Sequence, residues 1–173
     1  MGVCKKQMST NTINKKPIIY AFIDSQNLNL GIQSLGWKLD FKKFRIYLND
    51  KYHVQKAFLF IGYIEKYKNL YKQLKSYGYT LIFKKTSTKR WGQPKGNVDA
   101  ELVLFASAIE FNTYDSAILI SGDGDFNCLI YFLLSKRKLS RILIPNRRGM
   151  SKLLWEFSKY IDYLENLKYK LGK

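Results

Sequence analysis

One histidine and two cysteines in 173 residues leave little material for nucleophilic triads or soft-metal sites. Cys4 stands in a polar N-terminal stretch and Cys128 in a helical pattern, so the pair suggests neither a disulfide framework nor a zinc site. His53, the lone imidazole, falls at the start of an expected strand and reads as structural, which removes histidine-based acid–base chemistry. No apolar run approaches the roughly 20 residues that span a bilayer, so no membrane partner is expected. The opening MGVCKKQMSTNTINKKP has no apolar core of the signal-peptide kind, and Lys6 stands where a myristoylation signal carries Ser or Thr. Residues 1–16 read as a flexible basic tail and 17–173 as a single domain, with the reducing cytoplasm as the expected compartment.

Acids are scarce as well. Thirteen Asp and Glu face thirty Lys and Arg, a formal charge of +17 that favours a polyanionic partner, nucleic acid first. Much of the excess is Lys dispersed among Asn, Ile and Tyr, a pattern that codon composition alone can produce. The charge therefore has to be read together with motifs.

Apolar periodicity gives an alternating pattern. Strands are expected at 17–24, 54–63, 79–85, 115–122 and 140–145. Helices are expected after the first strand up to Gly36, at 40–50 with Asp40 as N-cap, at 65–78, at 97–111 with Asn97 as N-cap, and at 125–138. The chain should close as one helix or two short pieces. Tyr67 and Tyr71 share the inner face of the 65–78 helix. Strands alternating with helices imply a mostly parallel α/β sheet covered on both faces, whose ligands bind beyond the carboxyl ends of the strands.

That edge collects four of the thirteen acids. Asp24 ends the first strand; Asp123, followed by Asp125 in LISGDGDF, ends the fourth. Asp99 opens its helix on the side of Leu102, Val103 and Ala106 and faces the sheet. Each alone has an ordinary explanation as a turn or cap residue. Four carboxylates converging on one edge would repel one another without a cation. Oxygen-only ligation is hard-cation chemistry, so Mg²⁺ or Mn²⁺ is the expected cofactor. Such an ion acidifies water and neutralises charge on a leaving phosphate without any histidine.

FIDSQNL, KGNVDAELV and ILISGDGDF, in that order and spacing, resemble the three motifs of the NYN family, the PIN-like nuclease domains of the LabA/DUF88 group. The resemblance covers roughly residues 17–165. It implies a Rossmann-like PIN fold and Mg²⁺- or Mn²⁺-dependent cleavage of RNA, endonucleolytic in the expected mode. It makes Asp24, Asp99, Asp123 and Asp125 the metal-binding acids and brings in Asn27, Ser121 and Lys95 as site residues. The chain departs from the family in its closing segment. Where members often carry an acid, EFSKYIDYL has Ser158 and Lys159, with Asp162 further along.

Two basic stretches could flank such a site. KKTSTKRWGQPKG (84–96) sets Lys89, Arg90 and Lys95 around Trp91, a combination suited to the phosphates and bases of single-stranded RNA. IPNRRGMS (144–151) places Arg147 and Arg148 after the fifth strand, with Ser151 positioned to cap the next helix and form a phosphate site. SKRK (135–138) should lie at the opposite edge. The rival readings are a catalytically silent RNA-binding module on the same fold and, ranked lower, an aspartyl phosphatase. Oligomeric state stays open, a homodimer being admissible.

Overall fold

Residues 16–84 and 98–173 are described in the computed structural model of the chain. Six strands form one all-parallel sheet: β1 Ile19–Asp24, β2 Val54–Gly62, β3 Tyr79–Lys84, β4 Ser116–Ile120, β5 Leu139–Ile144 and β6 Ile161–Tyr163. Their order is β3-β2-β1-β4-β5-β6. The chain builds outward from β1 to β3, then crosses to the other side of β1 and builds outward again. The boundary between β1 and β4 is therefore the switch point, where the crevice of an α/β sheet opens.

Period-2 alternation sorts the strand residues onto two faces. Ala21 and Ile23 of β1 face a cluster with Leu28 and Ile32 of α1 (Ser25–Gln33), Phe44 and Leu48 of α2 (Phe41–Tyr52), and Leu171 of α6 (Lys168–Leu171). Tyr20 and Phe22 face the other cluster, with Leu102 of α4 (Asp99–Leu104) and Leu129, Ile130 and Leu133 of α5 (Asn127–Ser135). The second face is the aromatic one: Phe22 stacks on Phe58 at 5.5 Å and meets Tyr114 edge-on. The sheet is covered on both sides, as the near-continuous apolar strands require.

Local signals explain most boundaries. Asp40 caps α2, its carboxylate accepting from the Lys42 and Lys43 amides at 2.8 and 3.1 Å. Gly78, at φ +90, turns the chain from α3 (Lys68–Ser76) into β3. A 3₁₀ turn over Glu65–Tyr67 precedes α3, and only one of the paired tyrosines is core. Tyr71 is 5 % exposed and bonds Ile64 N and Gly62 O, whereas Tyr67 is 42 % exposed.

Two expectations need correction. The helix expected through residue 111 is α-helical only to Leu104 and then widens into a π-helical turn over Phe105–Ile109. The Tyr114 hydroxyl donates to Ala106 O, and the Glu110 amide bonds Phe105 O at 2.9 Å instead. Asn97, its expected cap, lies outside the described residues. The closing segment is not helix throughout. A 3₁₀ stretch over Lys152–Tyr160 leads into β6, which pairs Ile142 with Ile161 and Ile144 with Tyr163. β6, with β-branched Ile161 and aromatic Tyr163, instead completes the open side of β5, a tertiary gain that local spacing does not reveal. Among the described residues, no helix is long and apolar enough to cross a membrane.

Candidate active site

Asp24 is both the last residue of β1 and the N-cap of α1. Its carboxylate accepts from the Gln26 and Asn27 amides at 3.1 and 3.0 Å, so the strand passes into the helix without a loop. The residue is only 5 % exposed. Burial pushes its pKa above the ordinary carboxylate value, the two amide bonds oppose the shift, and the negative charge of Asp99 adds to it.

β4 ends one strand away. Ser121 is buried, its hydroxyl donating to Asp24 Oδ2 at 3.3 Å and accepting from the Asp123 amide at 3.2 Å. The Gly122 amide donates to Asn27 Oδ1 at 2.8 Å. Asp123 then caps a 3₁₀ turn, Gly124–Phe126, its carboxylate taking the Asp125 amide at 3.0 Å. Gly124 has a steric reason to be glycine, since a β-carbon there would run into the Ser151 hydroxyl and crowd Leu153. The loop after β5 thus presses the acidic turn from behind, with the Ser151 amide donating to Gly122 O at 3.0 Å.

The outcome is a converging acidic set. One carboxylate oxygen each from Asp99, Asp123 and Asp125 lies within 4.8 Å of the others. Asp24 stands beside this trio, near enough for Asp99 to raise its pKa, but is buried within its own capping bonds. No ion pair with a Lys or Arg of the described residues reaches Asp24, Asp123 or Asp125. Three or four carboxylates at this spacing form an all-oxygen donor set of the type that hard divalent cations take, so the residues fit Mg²⁺ or Mn²⁺.

The acids form one end of a cleft of about 560 Å³ between α1 and the loop after β5. Its other lining residues include Gln26, Leu30, Ser34, Pro145 and Asn146, none of which stands out in the sequence. The only signal was a stripe at i, i+4 and i+8 from Gln26, which an acid-centred reading passes over. The remaining expected residues divide. Asn27 and Ser121 are at the site, but their side chains bind the two acidic loops together. Ser151 opens a 3₁₀ stretch, its hydroxyl accepting from Leu153 N at 3.4 Å, so the phosphate-binding α-helix expected there is absent. Arg147 and Arg148 are exposed on a short turn at the same edge. Arg147 lies over the Tyr163 ring, and its amide donates to Glu165. Lys89, Arg90, Trp91 and Lys95 lie outside the described residues. Asp162 is not brought to the cleft: it accepts from the Tyr52 hydroxyl and faces Arg141 at 3.7 Å. His53 caps the far end of α2 at φ 57, away from the acids.

The fold is similar to the crystal structure of a protein of unknown function from Vibrio parahaemolyticus RIMD 2210633. The TM-score is 0.72 at 22% identity, over 87% of this chain and 94% of that one. No curated protein matches the chain. The NYN domain family model matches residues 19–165, nearly the whole chain, and the chain belongs to this family of PIN-like nuclease domains.

Proposed function

We propose that the protein is a Mg²⁺- or Mn²⁺-dependent ribonuclease that hydrolyses phosphodiester bonds of single-stranded RNA. The observation that carries this reading is the convergence of Asp99, Asp123 and Asp125 oxygens within 4.8 Å, in a chain of formal charge +17. A module that only bound a polyanion would gain nothing from clustered carboxylates, which repel both one another and the phosphates.

Asp99, Asp123 and Asp125 would hold the ion, with Asp24 beside them. When bound, it supplies Lewis-acid stabilisation of phosphate charge and lowers the pKa of water toward neutrality. The chain's own residues provide the frame. Ser121 and Asn27 tie the end of β1 to the end of β4, so the acids from two loops keep a fixed separation. Gly124 lets the Ser151 loop close behind the acidic turn. Arg147 and Arg148 sit on the rim, where cations draw the RNA backbone to the cleft without neutralising the acids. Binding of substrate and hydrolysis thus fall to different walls of one cleft.

The test is cleavage of end-labelled single-stranded RNA with Mn²⁺, with Mg²⁺ and with EDTA. Cleavage in either metal, abolished by EDTA, is expected. RNA binding without cleavage in both metals would move the assignment to a silent binding module.

A further inference from the structure

The cleft is larger than an ion and a phosphate need. About 560 Å³ lies within the range of sites that enclose a small organic ligand. Away from the acids, its character changes. Gln26 and Leu30 of α1 and its C-cap Ser34 recur every fourth residue and form one stripe, which runs about 12 Å from Gln26 to the helix C-terminus. Leu30 is 55 % exposed, an apolar side chain left on a cleft wall. The side-chain amide of Gln26 makes no hydrogen bond among the described residues. Opposite the stripe runs the turn after β5. Gly31 allows the two walls to meet, since a β-carbon there would stand 2.7 Å from Pro145 Cβ. The far end is closed by a hydrogen bond from Asn146 Nδ2 to Ser34 Oγ at 2.8 Å.

We propose that this arm is a nucleobase subsite for the nucleotide beside the scissile phosphate, an inference that rests on the ribonuclease reading above. Among the described residues no cationic side chain lines the arm, so these walls offer a second phosphate nothing. An exposed leucine suits the face of an unpaired base, and a free glutamine amide presents one donor group and one acceptor to its edge. The Ser34–Asn146 bond limits how far a base can enter. Rim arginines would hold the backbone, an ion held by the acids would hold the reacting phosphate, and α1 would hold the base.

Binding of the four nucleoside 5′-monophosphates and of ribose 5-phosphate, each in Mn²⁺, separates base from phosphate. At least one nucleotide should bind about tenfold more tightly than ribose 5-phosphate. Leu30→Ala and Gln26→Ala should erase most of that difference and leave ribose 5-phosphate binding unchanged. The subsite is overturned if no nucleotide exceeds ribose 5-phosphate, or if the variants weaken both probes alike. Neither outcome touches the cleavage assay, so an active nuclease without a base subsite and a base-binding protein without nuclease activity remain distinguishable.

Discussion

The two edges of the sheet treat charge in opposite ways. At the amino edge, charged side chains are matched to backbone groups. Arg45 donates to Gly78 O, Val54 O and Gln55 O, Lys138 donates to Phe111 O and Tyr114 O, and Asp115 accepts the Ile18 amide at 2.7 Å. At the carboxyl edge, the same fold gathers Asp99, Asp123 and Asp125 and buries Asp24 beside them. One edge lowers the free energy of the fold. The other raises it in the absence of a cation. A chain of formal charge +17 that still brings four of its thirteen Asp and Glu together at one edge gains nothing for folding from that arrangement.

Paired substitutions sharpen this contrast, and the largest difference should appear in activity. Asp123→Asn keeps the cap but replaces an anionic ligand by a neutral amide, a poor ligand for a hard cation, so RNA cleavage should fall by at least about a hundredfold while the protein stays folded. Arg45→Ala at the opposite edge should lower stability by about 2 kcal/mol in chemical denaturation and leave cleavage per folded molecule unchanged. If Asp123→Asn unfolds the protein, or stays folded and keeps its activity, the contrast is broken.

A smaller effect is expected at the rim. If Arg147 and Arg148 contact RNA phosphates, replacing both by Ala should flatten the logarithmic salt dependence of single-strand binding by about 1.4, or about 0.7 per phosphate contact. An unchanged slope would remove these arginines from the binding surface.

The smallest effect concerns Asp24. Burial holds its pKa above the ordinary 3.8, so the native state binds that proton more tightly than the unfolded chain. The resulting stability is fully present below 3.8 and is lost as pH rises through the raised native value. Asp24→Asn keeps an acceptor for the Gln26 and Asn27 amides and abolishes this loss. In EDTA its melting temperature should exceed the wild-type value by a few degrees at neutral pH, and the gap should close on acidification. A gap that widens on acidification would contradict the sign of the shift.

Much of this was legible in the sequence because the signals were local. Asp24, Asp123 and Asp125 stand at the ends of apolar runs, and a parallel sheet sends such ends to one edge. Asp40 and Gly78 announce helix boundaries by their own chemistry. What escaped depended on partners distant in sequence. β6 exists because β5 offers an open side, the π-helical turn follows Tyr114 taking the Ala106 carbonyl, and the role of Ser151 follows its contact with Gly124. The α1 wall was missed for a different reason. Gln26, Leu30 and Ser34 carry no chemistry individually and acquire meaning only once Pro145 and Asn146 face them.

The central claim is that the acids at the carboxyl edge are there to hold a divalent ion, and thermal unfolding against Mn²⁺ concentration tests it directly. An ion that binds only the native state stabilises it by about 2.7 kcal/mol at a hundred times its dissociation constant. The wild-type midpoint should climb steadily with Mn²⁺. Asp123→Asn should start no lower in EDTA and respond far less. A wild-type midpoint indifferent to millimolar Mn²⁺, or an equal rise in wild type and Asp123→Asn, would contradict the account.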